Sequence, residues 1–400
     1  MSSTSVSQRP QPLTQSPAYL IKNGDVYDGS GGPAQKLDLR VRDGVIAEMD
    51  RDLAPLFDET VVDAAGLLVT PGLIDLHTHV FTSVGRWSVR PEEAGLRTGV
   101  TTLLDTGTAG ALTYEAFHQL VMPDAAEDIF ALLNIALIGC LQGYPDEIPA
   151  SIGELSDARL AHAPSAVECI NRHRDRLLGV KVRLTSTLAD GRAENEQTGF
   201  REAIAAAEET GLPLMVHHAL SQIPLQELLS RLRPGDIYTH LYHPHTDGGF
   251  TGEVSLAQMQ AARARGVLFD VGHGKGAFSW QVAERACREY GFWPDTISTD
   301  IHQFNIHGPV IDLPTTMTKF LALGMPLEQI IAAATLAPAR AMRLDSRFGR
   351  LLPGRQADIT LLRLESGQWP LTDVLGDVRT APRRFRPVHV LKRGVLYPLD

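Results

Sequence analysis

The stretch PGLIDLHTHV, Pro71–Val80, decides how the rest of the chain is read. It is a short apolar run that ends in two histidines one residue apart. Alternate side chains of an extended strand share a face, so His77 and His79 point the same way, together with Asp75. Two imidazoles on one face can chelate one ion, and zinc or a similar borderline divalent metal suits their nitrogens. Taken alone, H-x-H reads equally as two unrelated histidines near a surface. The rest of the chain decides between these readings.

Working outward, seven further apolar runs follow: VTTLLDTG from Val100, IFALLNIALIG from Ile129, LGVKVRLT from Leu178, PLMVHHA from Pro213, DIYTHLYH from Asp236, VLFDVGHG from Val267 and TISTDIH from Thr296. Between them lie helical patterns such as FREAIAAAEETG, LQELLSRL, SLAQMQAARARG and WQVAERACREYG, several closing on a glycine as a C-cap does. Eight strands in strand–helix order over residues 71–352 match the size of a (β/α)8 barrel. A doubly wound open sheet competes, but no G-x-G-x-x-G follows the first strand, and polar residues recur at most strand C-termini. The expected fold class is α/β, a (β/α)8 TIM barrel. Residues 17–70 and 353–400 read differently: YLIKNGDVYDG, LDLRVRDGVIAEM, RQADITLLRL and VHVLKRGVLY alternate apolar and polar residues, with turn signals at Asn23-Gly24 and Asp43-Gly44. Both chain ends are therefore expected to build one small β-sandwich module. Residues 1–16, rich in Ser, Gln, Thr and Pro, read as a disordered lead-in with no signal-peptide pattern.

Composition narrows the function classes. Hydrophobic residues make up 44% and charged residues 21%, an ordinary globular balance. A formal charge of −10 with no basic stripe argues against nucleic-acid partners. Arg383, Arg384 and Arg386 cluster beside prolines, which reads as a solvated loop. No apolar run approaches the roughly 20 residues of a membrane helix. Cys140, Cys169 and Cys287 are widely spaced and odd in number, so neither a disulfide framework nor a thiolate zinc site is expected. A reducing cytoplasm is the simplest compartment.

Lys181 shifts the weight given to the histidines. In LGVKVRLT the apolar residues take one strand face while Lys181 and Arg183 take the other, among inward-pointing side chains where an unpaired ammonium is costly. A neutral amine is one solution. Carboxylation by CO2 to a carbamate, whose two oxygens can bridge two cations, is another. Pairing with a nearby carboxylate is the plain one. His217 and His240 can each supply an imidazole from consecutive strands. His217 has a rival in His218 on the opposite face, and His240 has rivals in His243 and His245, which run into a loop and suit lid or surface roles. Asp300, closing the last run, can ligate a metal and take a proton from metal-activated water, acting as general base and then acid. Arg183 can fork onto a substrate carboxylate or form an internal salt bridge. His273, between glycines, can approach a carbonyl or a substrate acid, or sit as a satisfied loop histidine. His118, His162, His173, His307 and His389 fall elsewhere and are not favoured.

At this point the chain resembles the amidohydrolase superfamily, metal-dependent hydrolases with a barrel and a small β-sandwich. PGLIDLHTH is similar to that family's first-strand motif, STDIH to its eighth-strand aspartate, and GRLLPGRQADITLL to its return into the small sheet. The order H-x-H, Lys, His, His, Asp is that of its binuclear members. The resemblance implies two divalent ions, with zinc expected: His77, His79 and Asp300 on one, His217 and His240 on the other, and N-carboxylated Lys181 bridging them. It places the ligand at His217 rather than His218. KVR-L-T, DVGHG before Ala-Phe-Ser, and ISTDIH are similar to the deacetylase-type branch, which implies hydrolysis of an ester or amide in an acylated small hydroxy or amino acid. The chain departs from that branch at His218 and in the loop LYHPHTDGG. Alternatives are a cyclic amide or imide hydrolase of dihydroorotase or hydantoinase type, a mononuclear deaminase-like enzyme in which Lys181 is incidental, and a non-catalytic binding protein retaining the fold. The expected partner is a small-molecule substrate, and the sequence is compatible with a homo-oligomer.

Overall fold

The computed structural model describes residues 17–82, 87–140, 153–250 and 253–399. The expected disorder of residues 1–16 falls outside these. Seven of the eight expected strands form one parallel sheet in chain order: Leu73–Thr78, Val100–Gly110, Asp128–Asn134, Leu177–Leu184, Leu214–His218, Ile237–Thr239 and Leu268–Phe269. These strands are buried on both faces because helices cover the outside while side chains, several of them polar, fill the inside. Val180, Val182 and Leu184 lie in the outer core with Ala203, Ala206 and Ala207 of the helix Ala193–Thr210. Lys181 and Arg183, on the alternate face, are buried inside.

The eighth run, TISTDIH, closes the ring without a regular ladder. It touches the seventh strand region at Asp270 and Thr296 and the first strand at Thr78 and Ile301, each through a single parallel bridge. Asp300 N–H donates to the His77 carbonyl at 2.7 Å, and His79 N–H to the Ile301 carbonyl at 3.0 Å. The reason for the missing ladder is conformational: Asp300 has φ +49°, a left-handed geometry that interrupts an extended run. The fold is thus α/β of the TIM-barrel type, with its last segment held by isolated bridges.

Two further sheets draw on both chain ends. One runs in the order Val45–Asp50, Asp38–Arg42, Tyr19–Lys22, Thr60–Asp63, and the other in the order Val395–Pro398, Val378–Lys392, Ile359–Thr372, Leu67–Pro71, Asp25–Val26. Ile21, Leu39, Val41 and Ile46 share a core with Val69, Ile359, Leu361 and Leu391, which joins the two sheets face to face. The hairpin of Ile359–Thr372 and Val378–Lys392 is longer than the expected strands and reaches over the helix Leu313–Leu323. There Phe385 N–H donates to Thr318 Oγ1 at 3.1 Å, and the Trp280 indole donates to the Leu371 carbonyl at 3.0 Å. The three cysteines are buried, and no disulfide joins them among the described residues. No helix among the described residues is long and apolar enough to cross a membrane.

Candidate metal centre

The C-terminal ends of the barrel strands bring the histidines together in a cavity of about 220 Å3. His77, His79 and Asp300 offer ligand atoms that all lie within 4.8 Å of one another, and all three are buried. Asp300 Oδ1 is 3.0 Å from His79 Nε2 and 3.4 Å from His77 Nε2, yet it accepts no hydrogen bond among the described residues.

The tautomers of these rings follow from their outer partners. Thr108 Oγ1 donates to Asp105 Oδ2 at 2.8 Å, so it must accept from His79 Nδ1–H, 2.7 Å away. Thr239 Oγ1 likewise donates to Asp270 Oδ2 at 2.7 Å and accepts from His77 Nδ1–H at 3.1 Å. His240 Nδ1–H donates to the Gly272 carbonyl at 2.6 Å. Each ring therefore keeps its lone pair on Nε2. Two of these lone pairs face the Asp300 oxygen; Lys181 Nζ reaches the one on His77, and the facing pair of His79 Nε2 and Asp300 Oδ1 is an arrangement of acceptors that a cation would satisfy. Burial holds His77 and His79 well below their ordinary range and His240 down to about 3, which keeps them neutral donors.

Lys181 lies in the same place, with Nζ 3.2 Å from His77 Nε2 and 3.4 Å from Met215 Sδ. Burial lowers its amine to about 8, with Asp300 partly opposing the shift. Gly107, at φ +86°, lets the lysine pass, since a Cβ there would come within 2.7 Å of Lys181 Cγ. His217 lines the cavity, with its ring centroid 4.2 Å from that of His240. His218 points the other way, and its Nε2–H donates to the Ile223 carbonyl at 2.8 Å. His240 and Asp300 both hold positive φ, +63° and +49°. Such strain costs roughly 1–3 kcal/mol per residue and is found where side chains must be aimed.

Other expected positions behave differently. Asp75 shares a strand face with the histidines but is captured by Thr299, whose N–H and Oγ1 donate to it at 3.0 and 2.6 Å. Burial drives its carboxyl up to about 7. Arg183 lines the cavity, and its Nε and Nη2 form a two-pronged salt bridge with Glu154. Glu154 also accepts from Asn134 Nδ2 at 3.1 Å. His273 is not brought to the cavity. Its Nδ1–H donates to the Gly274 carbonyl at 2.9 Å, its Nε2 accepts from the buried Lys319 at 2.6 Å, and its ring stacks on Phe278. His243 is buried rather than at the surface, and His245 lines the cavity wall.

Residues that drew no assignment from sequence also matter here. Thr108 and Thr239 set the tautomers, each within three residues of a strand-end aspartate or histidine in DTGT and YTH. Trp87 lines the cavity and stacks on His302 at 4.0 Å between ring centroids. No local pattern flagged either ring.

The amidohydrolase family profile matches residues 68–396. The chain belongs to the amidohydrolase family. Within that family it is 33% identical over 386 residues to a deacetylase of Agrobacterium fabrum, covering 96% of this chain and 92% of the relative. It is 32% identical to a deacetylase of Enterococcus faecalis, covering 94% and 98%. The crystal structure of a dihydroorotase, 30% identical, superimposes with a TM-score of 0.85 over 96% of this chain and 98% of that one.

Proposed function

We propose that the protein is a metal-dependent hydrolase of deacetylase type, cleaving an ester or amide bond in an acylated small hydroxy or amino acid. The observation that carries this is the meeting of the His77 and His79 Nε2 lone pairs with Asp300 Oδ1, which accepts no hydrogen bond among the described residues, beside a buried lysine in one cavity. In this reading His77, His79 and Asp300 hold one divalent ion, His217 and His240 a second, and Lys181, carboxylated on its amine, lies between them. The neutral fraction of an amine near 8 supports reaction with CO2 at ordinary pH. Bound divalent ions, with zinc expected from the donor set, supply an acidified water and polarise the scissile carbonyl.

The chain's own groups do the rest. Asp300 takes the water's proton at its carboxylate and returns it to the departing alcohol or amine. Gly274 leaves room for this, since a Cβ there would press within 2.5 Å of Asp300 Oδ2. Thr108 and Thr239 keep the rings in the ligating tautomer. Arg183, fixed by Glu154 on the cavity wall, orients the acid end of the substrate. Trp87, Leu188, Ala219 and Ala277 line the wall and exclude water around the reacting bond.

The likeness to a dihydroorotase structure favours a second reading, hydrolysis of a cyclic amide with the same groups. The test is a panel of O-acetyl hydroxy acids, N-acyl amino acids and cyclic imides, run before and after chelation and zinc return. Chelator-sensitive hydrolysis of acyclic acetyl compounds is expected. Turnover of cyclic imides alone would replace the first reading with the second. Full activity after metal stripping would remove both.

A further inference from the structure

The buried pair Lys319 and His273 takes no part in the chemistry above, yet the backbone it grips touches three of the groups that chemistry uses. We propose that Lys319 is a positioning residue: through His273 it pins the strap of residues 272–274, against which His77, His240 and Asp300 are seated. This rests on the reading of those three side chains as metal ligands.

The strap meets each of the three directly. The Gly272 carbonyl accepts His240 Nδ1–H at 2.6 Å. A Cβ on Gly272 would come within 3.1 Å of His77 Nδ1, and one on Gly274 within 2.5 Å of Asp300 Oδ2, so bare backbone forms the wall behind these side chains. His273 N–H and Gly274 N–H donate to the Ser298 and Thr299 carbonyls at 3.3 and 2.9 Å, which ties the strap to the two residues before Asp300. Its conformation is costly to hold. Gly272 and Gly274 sit at φ +46° and +54°, and glycine loses more freedom on ordering than any other residue. Between two such hinges, the His273 side chain is the handle by which the rest of the protein can hold the strap still.

That handle is gripped firmly. The His273 ring stacks on Phe278 with centroids 4.8 Å apart, and its Nε2 accepts from Lys319 Nζ at 2.6 Å. Lys319 is fully buried and gives its other two protons to the Pro309 and Thr372 carbonyls at 3.1 and 2.6 Å. Three donors meet three acceptors, the count of an ammonium, and none of the three acceptors is a carboxylate. Such a cation is expensive in the interior, and burial brings the amine down to about 7, with Asp373 partly opposing. Methionine would fill the space without that cost, so stability alone does not account for a lysine here. What the lysine adds is a fixed point that joins the strap to the Pro309 loop beyond the eighth run and to the long C-terminal hairpin.

The experiment compares the full-length wild type with Lys319→Met, with His273→Phe, which keeps the stack on Phe278 but offers Lys319 no acceptor, and with His273→Gln, which returns one. Amide hydrogen exchange on the metal-free proteins reads the strap itself. Exchange at His273 and Gly274 should run about tenfold faster or more in Lys319→Met and His273→Phe, with the strand Leu177–Leu184 unchanged, and should slow again in His273→Gln. With Co2+ added, the visible absorption of the first two variants should differ from wild type. On whichever acyl compound or cyclic imide the wild type hydrolyses, their kcat should fall about ten- to a hundredfold with KM little changed. Exchange that stays the same in both variants, or rises equally throughout the barrel, would overturn the proposal. So would a loosened strap with wild-type Co2+ absorption and kcat. A wild type that hydrolyses none of the compounds would count against the hydrolase reading alone, because exchange and Co2+ absorption still decide this one. If Lys319→Met does not fold, His273→Phe carries the same comparison.

Discussion

Replacing Lys181 with methionine should stabilise the metal-free protein while abolishing its activity. The side chain is 1% exposed, and burial takes its amine from an ordinary 10.5 to about 8. At about 1.4 kcal/mol per tenfold change, protonated Lys181 costs the folded state roughly 3 kcal/mol. The direction follows from which form folding disfavours. Below about pH 8 the amine is charged both folded and unfolded, and the full cost is present. Between 8 and 10.5 the folded protein sheds the proton first, and above that the cost is gone. Methionine has similar reach, carries no charge and packs against Met215. A chain of 400 residues has an unfolding entropy of roughly 0.8 kcal/mol/K, so the gain amounts to about 3–4 °C in Tm. Calorimetry in chelator and CO2-free buffer at pH 7 and again above pH 10 tests it: the variant should melt higher at the first and equally at the second. A Lys181→Met protein that melts at or below wild type at pH 7 would show that Asp300 and its neighbours already compensate the ammonium. Retained hydrolysis would remove Lys181 from the chemistry.

Other perturbations probe the supports around the same groups. Thr108→Val removes the hydroxyl that fixes His79 and should weaken metal binding about ten- to a hundredfold, as outer partners of ligating histidines do, with Thr108→Ser restoring it; direct metal titration reads this. Bicarbonate should accelerate reactivation of the stripped enzyme by zinc, and the acceleration should grow as pH rises through about 8, where Lys181 becomes neutral; a flat pH response would argue against carboxylation. Arg183→Lys keeps the charge but loses the two-pronged grip on Glu154, so KM for carboxylated substrates should rise at least tenfold with kcat far less affected. A uniform fall in kcat with unchanged KM would instead mark Arg183 as part of the barrel's internal scaffolding.

How much of this was legible beforehand depended on which physical rule governed each residue. Strand alternation is strict, so the inward placement of Lys181 and Arg183 and the shared face of His77 and His79 could be read from spacing alone. The same rule misleads at Asp75: alternation puts it beside the histidines, but Thr299, 224 positions away, takes its carboxylate. Backbone conformation is the second blind spot. Asp300 and His240 adopt positive φ, which no apolar period encodes, and the eighth strand therefore becomes a pair of bridges. His273 looked available because glycines flank it, whereas the helix Leu313–Leu323 delivers Lys319 to its ring and the long C-terminal hairpin closes over that lysine through the Thr372 carbonyl. The threonines that choose the tautomers were the least visible, since a hydroxyl near an aspartate is common in any strand. The positions proposed to carry chemistry lie at strand ends, where local pattern reaches them. Their supports come from other strands and helices, and only packing brings those within hydrogen-bonding distance. A substitution at Thr108 or Thr239 should therefore reach the metal ligands as surely as one at Asp300, although nothing in the local sequence marks either threonine.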